Sequence, residues 1–340
     1  MIKKSSGKTR VARPVLFSGI QPTGKLHLGN YLGALKNFVD LQESGRYDCY
    51  YCIVDLHSLT LDDFDPKQKY KQILELTADF LAAGLDPKKS VIFQQALIPA
   101  HSELAWILGT IAPIGELRRM TQFKEKSEKE KEGANSGLLT YPLLMAADIV
   151  LYDAKYVPVG EDQIQHLELA RALARKFNSR FSGTFVEPQP LLTEIPRVMS
   201  LKNPAKKMSK SDPASCVFLD DSPAEVKAKV MRATTDSESV IKYDPVNKTG
   251  ISNLLRIYSA LAGRPLEQVE RDFRGKQYSE FKSALAELIA DHFADFRKRK
   301  KALLAKPSAL SAILMSGSAK AGKIAAKKIN LVKQRVGLTK

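Results

Sequence analysis

Strand-like and helix-like segments alternate through the first hundred residues of the chain. Three short apolar runs, each rich in strand-forming residues, span Val15–Ile20, 49–56 and 90–94. Between them, apolar side chains recur at helical spacing over residues 32–41 and over Pro66–Ala83, and Gly84 closes the second helix. Strands separated by helices of this length predict an α/β fold with a doubly wound parallel sheet.

Polar residues follow the first two predicted strands, where doubly wound sheets bind ligands. The sequence QPTGKLHLGN, residues 21–30, follows the first strand and is called the HLGN loop below. Gly29 permits a close backbone approach, and the helix start offers unpaired N–H groups that suit a triphosphate. Gln21 and His27 can add hydrogen bonds. An ordinary turn is the alternative, because a strand, a turn with glycine and a helix are a common combination.

A second loop has the chemistry of a phosphate site. It is AKKMSKSDP, residues 205–213, called the KMSKS loop below. Two ammonium groups, Lys207 and Lys210, and two hydroxyl groups, Ser209 and Ser211, suit a pyrophosphate leaving group whose charge grows in the transition state. A lysine-rich surface loop without such a role is the alternative.

The charge of the chain predicts a polyanionic partner. The formal net charge is +16, and residues 296–340 contain thirteen Lys and Arg but no Asp or Glu. Nucleic acid is the first candidate partner, a membrane surface is the second, and a basic tail that aids solubility is the alternative. No apolar run reaches the roughly 20 residues that span a bilayer, so we predict no membrane span.

The three cysteines favour a reducing compartment. Cys49 and Cys52 lie among strand-forming residues, and Cys216 is alone. We therefore predict buried structural thiols, with a redox or metal role as the alternative. A zinc site needs a second pair at ligand spacing, so no metal site is predicted. Few cysteines and no secretory signal favour a cytoplasmic location.

Length and composition predict a tail and two domains, since 340 residues exceed one small core. We assign a basic flexible tail to residues 1–12, an α/β domain to 13–212 and a helical domain to 213–340. The last helix can pack back on the first domain. Residues 123–138, charged and then rich in glycine and serine, predict a mobile loop. Residues 188–196 are expected to be irregular, and helices are expected over 278–304, 308–317 and up to 336.

Seven motifs together identify a family. HLGN and KMSKS resemble the two signatures of class I aminoacyl-tRNA synthetases. The stretches FSGIQPTGKLHLGNYLGAL, CYYCIVDLH, MTQFKEK, LLTYPLLMAADI, VPVGEDQ, KKMSKSDP and GISNLL resemble, in order and spacing, the bacterial-type tryptophan–tRNA ligases over most of residues 15–255. This resemblance implies a Rossmann-like catalytic domain, a helical anticodon-binding domain and a homodimer. It also implies the substrates L-tryptophan, ATP with Mg²⁺, and tRNA(Trp).

The resemblance also implies site residues by position. It implies catalytic roles for Gln21, Lys207 and Lys210. ATP binding would involve Gln21, Pro22, Thr23, His27, Gly29, Asn30, Gly160, Glu161, Asp162, Val198, Lys207, Met208, Ser209, Lys210 and Ser211. The tryptophan pocket would consist of Phe17, Gly19, His57, Tyr141, Met145, Asp148, Val157, Val159 and Gln163. The family's first signature ideally ends in His, where this chain has Asn30. Lys124 and Lys126 either reach the nucleotide or lie in a solvated loop.

Asp148 is the residue that most favours tryptophan. It is a single acid in the apolar stretch 139–152, and a buried carboxylate needs a partner. An indole N–H is only a donor, so a buried acceptor among apolar walls suits it. A helix-capping or salt-bridged acid is the alternative. His101, His166 and His292 have no evident partners and are expected to be structural or surface residues.

Two other functions are consistent with parts of the sequence. A tyrosine–tRNA ligase would share the fold, but MAAD and the wall around VPV, which is poor in aromatic residues, argue against it. A catalytically silent paralogue that only binds RNA would not need KMSKS, GEDQ and Asp148 together.

Overall fold

A computed structural model describes residues 13–60, 65–121, 123, 135–160, 163–192, 197–238 and 240–340. Within these ranges five strands form one sheet in the order β3–β2–β1–β4–β5, and every pairing is parallel. The strands are β1 Val15–Ile20, β2 Asp48–Ile53, β3 Val91–Gln94, β4 Tyr156–Val159 and β5 Gln189–Leu192. The direction of winding changes between β1 and β4, which makes their carboxyl ends the switch point. The predicted doubly wound α/β fold is confirmed.

Two strand predictions need correction. The second strand ends at Ile53 rather than at residue 56, and a 3₁₀ turn, Leu56–Thr60, follows. The Asp55 carboxylate accepts the backbone N–H of Leu56 and so favours this turn. The region 188–196, predicted to be irregular, contains β5. It is an edge strand, where a proline such as Pro190 is tolerated because one side of the strand makes no ladder bonds.

The helices of the first half connect and cover the strands. Helix α1 has three consecutive segments, Leu28–Asn30, a π-helical Tyr31–Leu35 and Lys36–Glu43. The others are α2 Pro66–Ala83, α3 Ala100–Gly109, α4 Ile114–Arg118, α5 Ser136–Val150 and α6 Ile164–Phe181. Local chemistry determines the bounds of α2: Asp65 caps Lys67 N, Pro66 is the first helical residue, and Gly84 ends the helix at φ 119°.

Alternate residues of the central strands supply two hydrophobic clusters. Leu16 and Tyr51 belong to one cluster, whereas Phe17 and Tyr50 belong to the other. This follows from the two-residue period of a strand, which directs successive side chains to opposite faces of the sheet. All three cysteines are buried and have free thiols, so the prediction of buried thiols is confirmed.

The second half of the chain is helical. Its helices are α7 Pro223–Met231, α8 Thr249–Ala262, α9 Leu266–Asp272, α10 Tyr278–His292, α11 Ala294–Leu304 and α12 Pro307–Arg335. The prediction of a single helix over 278–304 is wrong, because the helix is interrupted at Phe293. None of the helices in the described ranges is both long and apolar enough to cross a membrane.

Helix α12 is continuous where the sequence predicted two segments separated near Gly317. That glycine lies where the helix crosses β3, and a Cβ on it would be 1.8 Å from the carbonyl oxygen of Ile92. Ser318 Oγ accepts the backbone N–H of Gln94 at 3.2 Å. Gly317 therefore permits a close helix–strand contact instead of ending the helix, and α12 covers the edge of the sheet.

Candidate active site

One cavity of about 1600 Å³ runs along the carboxyl ends of β1 and β4. Its wall contains Phe17, Gly19, Gln21, His27, Gly29, Asn30, His57, Tyr141, Met145, Asp148, Val157, Val159, Gly160, Gln163, Val198, Lys207 and Met208. Other predicted residues do not line it: Pro22, Thr23, Ser209, Lys210 and Ser211. Glu161, Asp162, Lys124, Lys126 and the predicted tail, residues 1–12, lie outside the described residues.

The HLGN loop connects β1 to α1 through a reciprocal cap. His27 Nδ1 accepts the backbone N–H of Asn30 at 3.3 Å, and Asn30 Oδ1 accepts the backbone N–H of His27 at 3.1 Å. A Cβ on Gly29 would lie 2.9 Å from the His27 ring, so the glycine allows the ring to fold over the helix start. Asn30 therefore has a structural role at the position where the family's first signature ideally ends in histidine.

The His27 imidazole is neutral at physiological pH. Burial and the nearby Lys210 ammonium lower the pKa of His27 to about 4. A neutral ring is what the cap requires, because only an unprotonated Nδ1 can accept a hydrogen bond. The ring thus acts as an acceptor toward its own loop at neutral pH.

The KMSKS loop docks against the HLGN loop. Met208 is buried, and its backbone N–H donates to Val198 O at 3.0 Å. Lys210 Nζ donates to Thr23 O at 2.7 Å and also contacts Thr23 Oγ1. Burial lowers the pKa of Lys210. Lys210 and Thr23 are thus paired with each other beside the cavity, whereas Lys207 lines it.

A buried carboxylate lies at the base of the cavity. Asp148 is 1% exposed. Its Oδ2 accepts from His57 Nε2 at 2.9 Å, and its Oδ1 accepts from His101 Nδ1 at 2.6 Å. Gln95 Nε2 donates to both oxygens, at 2.7 and 2.9 Å. Burial opposes ionisation, but the hydrogen bonds from His101 and His57 outweigh it and hold the pKa of Asp148 below its usual value.

Two residues of this cluster were missed by the sequence analysis. His101, expected to have no partner, is fully buried, and its Nε2 meets the Tyr152 hydroxyl at 2.7 Å. Its two ring nitrogens thus contact Asp148 on one side and the Tyr152 hydroxyl on the other. Gln95 directly follows β3 and so lies at the carboxyl end of a parallel strand, which is a signal that the sequence did offer.

Aromatic side chains build the walls around Asp148. Phe17 stacks on Tyr152 with 5.8 Å between ring centroids, and the edge of Tyr141 meets His57 at 6.2 Å. The Tyr141 hydroxyl is hydrogen-bonded to His166 Nε2 at 2.5 Å, so His166, like His101, does have a partner. The result is an apolar, ring-lined space beside one ionised acceptor, which suits a flat ligand with a single N–H donor.

The comparisons with known proteins agree with this geometry. The family model described as tRNA synthetases class I (W and Y) matches residues 9–294. A tryptophan–tRNA ligase of Caldanaerobacter subterraneus subsp. tengcongensis is 49% identical over 326 residues, which is 95% of this chain and 98% of that one. One of Bacillus anthracis is 45% identical, covering 96% and 98%. The chain therefore belongs to the class I tRNA synthetases for tryptophan and tyrosine.

Two of the similar solved structures are tryptophanyl-tRNA synthetases. A tryptophanyl-tRNA synthetase from Mycoplasma pneumoniae superposes with a TM-score of 0.88 at 35% identity, covering 96% of this chain and 98% of that one. One from Campylobacter jejuni, complexed with ADP and tryptophan, has a TM-score of 0.80 at 35% identity, covering 95% and 99%. These matches, together with the family model, confirm the resemblance seen in the seven sequence motifs.

Proposed function

We propose that the chain attaches L-tryptophan to tRNA(Trp) in two steps. The tryptophan carboxylate attacks the α-phosphorus of ATP, which enters with Mg²⁺ as part of the nucleotide substrate, and pyrophosphate leaves. The 2′-hydroxyl of the terminal adenosine of the tRNA then attacks the carbonyl of tryptophanyl-adenylate, and AMP leaves. The observation that carries this proposal is the juxtaposition, in one cavity, of the buried Asp148 carboxylate with residues of the HLGN and KMSKS loops.

Asp148 is proposed to select the amino acid. Its carboxylate is ionised and held in one orientation by donors from three separate segments, so it presents an ordered acceptor to a donor from the ligand. The indole N–H of tryptophan is such a donor. Phenylalanine offers none, so it would lack the hydrogen bond to Asp148 that tryptophan gains. Phe17, Met145 and Val157 are proposed to contact the ring faces.

The two loops are proposed to bind the nucleotide. No protein nucleophile is required, so catalysis consists of orientation and stabilisation of phosphate charge. Lys207 faces the cavity, and Lys210 is held at the HLGN loop by Thr23. Because the charge on the leaving pyrophosphate grows in the transition state, these cations lower the barrier more than they stabilise bound ATP. Gln21 is proposed to orient the reacting groups.

The helical region, residues 213–340, is proposed to bind tRNA, with residues 13–212 as the catalytic domain. Lys298, Arg299 and Lys301 on α11 are exposed. Such cations give phosphate contacts whose strength falls steeply with added salt. Sequence recognition would come from splayed anticodon bases. We place the enzyme in the cytoplasm.

A homodimer is proposed across the surface of α3 and α4. Trp106 and Ile114 are 78% and 58% exposed there, and Leu97 is 42% exposed. Exposed aromatic anchors of this kind typically mark protein–protein interfaces. Trp106 is also the single tryptophan of the chain, so its fluorescence reports on this surface directly. In analytical sedimentation we expect the parent chain to be a dimer with blue-shifted tryptophan emission, and we expect Trp106→Ala to dissociate it. A monomeric parent chain would contradict the proposal.

The test of the function is amino-acid-dependent exchange of labelled pyrophosphate into ATP, across all twenty amino acids and without tRNA. We expect exchange with tryptophan alone. Exchange with tyrosine instead would indicate a tyrosine–tRNA ligase. RNA binding without exchange for any amino acid would favour the silent paralogue. Charging of tRNA(Trp) with labelled tryptophan then tests the second step.

The KMSKS loop offers a matched control for the lysine roles. Lys207→Ala and Lys210→Ala should each lower the exchange rate by about 10²-fold or more, as loss of a transition-state charge contact does. Lys206→Ala, in the adjacent and exposed position, should leave the rate unchanged. Equal rates for all three variants would contradict the assigned roles.

A further inference from the structure

A buried lysine connects helix α11 to the cavity side of the fold. Lys300 Nζ lies 2.6 Å from Asp79 Oδ1 on α2 and 3.4 Å from Asp220 Oδ2. Lys300 and Asp79 are 6% and 1% exposed. Burial alone would lower the pKa of Lys300, but the two carboxylates outweigh it and raise the pKa, so the ammonium remains charged. Lys25, inside the HLGN loop, approaches the same Asp220 Oδ2 at 3.3 Å.

Asp220 adjoins a short backbone ladder that holds the HLGN loop. Leu28 N donates to Val217 O at 2.8 Å, and Leu219 N donates to Leu26 O at 3.0 Å. These two bonds flank His27, the residue that caps the start of α1. A shift of Asp220 would therefore move the strand-like segment 217–219 and, with it, the loop that lines the cavity.

The junction of α10 and α11 also contacts the far side of the same loop. The Tyr31 hydroxyl is hydrogen-bonded to His292 Nε2 at 2.9 Å, and the Tyr31 ring meets Phe293 edge-on with 4.8 Å between centroids. Tyr31 directly follows Asn30. The HLGN loop is thus held before its helix by Asp220 and after it by the residues that precede α11.

We infer that Lys300 is a positioning residue for ATP, acting through Asp220 and the 217–219 ladder on the HLGN loop. The inference rests on the proposed function only in assigning ATP to that loop. Lys300 itself is not among the residues that line the cavity. Its cation holds two carboxylates from different elements, Asp79 on α2 and Asp220 beside the loop. Without the Lys300 cation, Asp220 loses its buried partner. The 217–219 segment is then no longer held in one position beside the HLGN loop.

The test compares ATP and tryptophan in the same variants. Lys300→Met should raise the KM for ATP by roughly threefold to tenfold, as uncoupling of a packed network does, and leave the KM for tryptophan within about twofold. Lys300→Arg should restore the KM for ATP. The matched control is Lys67→Met, an exposed lysine on α2, the helix that carries Asp79, and it should change neither constant. Calorimetric titration with ATP alone gives the same comparison independently of the amino acid.

Two further variants separate positioning from stability. Asp220→Ala leaves the 2.6 Å Lys300–Asp79 pair in place and should weaken ATP binding without lowering the melting temperature. The double variant Asp79→Asn, Lys300→Met removes the buried charge that Lys300→Met alone leaves on Asp79. It should therefore have a higher melting temperature than Lys300→Met, while its ATP binding stays weak. Joint recovery of both, or unchanged ATP binding in Asp220→Ala, would overturn the inference. A failure of the proposed function would show in the parent chain itself. That chain would then bind ATP but would not catalyse pyrophosphate exchange in the presence of tryptophan.

Discussion

Gly317 offers the sharpest test of how α12 packs on the sheet. A methyl group at this position would lie 1.8 Å from the carbonyl oxygen of Ile92 and 2.7 Å from its carbonyl carbon. Both are backbone atoms of β3, so no side-chain rotation relieves the clash. Gly317→Ala therefore requires α12 to withdraw from β3, and the neighbouring 3.2 Å bond from Gln94 N to Ser318 Oγ stretches.

The expected cost follows from these contacts. Overpacking of a buried contact costs about 1–3 kcal/mol, and a backbone approach as close as this one belongs at the upper end. Loss of the Ser318 bond adds about 1 kcal/mol. The better helix propensity of alanine returns roughly 0.5–1 kcal/mol. We therefore expect Gly317→Ala to lower the free energy of unfolding by about 3 kcal/mol.

Gly322 is the matched control, five residues further along the same helix. Its Cβ would meet only Ile98 Cγ1, at 4.0 Å, so Gly322→Ala should gain the roughly 0.5–1 kcal/mol of helix propensity. Denaturant unfolding followed by circular dichroism measures both variants. Equal stability of the two would refute the packing described here. Because Gln95 follows β3 and donates to Asp148, Gly317→Ala should also raise the KM for tryptophan.

Three other predictions concern the cavity. Asp148→Asn should raise the KM for tryptophan by about 10- to 100-fold through loss of charge-assisted hydrogen bonds, with little change in the KM for ATP; equal losses in exchange kinetics would contradict the assignment. Because the folded pKa of Asp148 is lowered, its ionisation stabilises the fold above the unfolded value of about 4, and this stability is lost as pH falls through the folded pKa. Denaturant midpoints measured from pH 7 to pH 3 should therefore fall less in Asp148→Asn than in the parent chain. Thr23→Val removes one acceptor of Lys210 and should speed tryptic cleavage of the KMSKS loop in the absence of ATP, whereas unchanged digestion would show that the carbonyl contact suffices.

Local signals were enough to predict the elements that carry them. The apolar run of β1 and the caps of α2 are contiguous in sequence, and the structure has both elements with the predicted bounds. The part of the cavity wall that could be predicted is made of residues that follow strands or belong to the seven motifs. β5 was missed because Pro188 and Pro190 are turn signals, and only pairing with β4 makes an edge strand of this segment.

Contacts between distant segments could not be predicted. His101 and Gln95 meet Asp148 across 47 and 53 residues of chain, and no periodicity records such a distance. The role of Gly317 could not be predicted for the same reason, because it depends on a contact with a distant segment. A glycine in a helical pattern signals an end, unless another backbone comes close enough to require it, and that backbone is β3, more than 200 residues earlier.

The Asp148 cluster shows why these long-range contacts matter for the proposed specificity. A carboxylate buried in an apolar stretch is costly to ionise, and a neutral carboxyl would itself be a donor. Donors from three segments, His57 after β2, Gln95 after β3 and His101 on α3, hold it ionised and in one orientation. The acceptor is therefore in place before any ligand arrives, and a ligand N–H gains its hydrogen bond without reorganising the site. Selectivity for an indole thus depends as much on the two missed donors as on Asp148 itself.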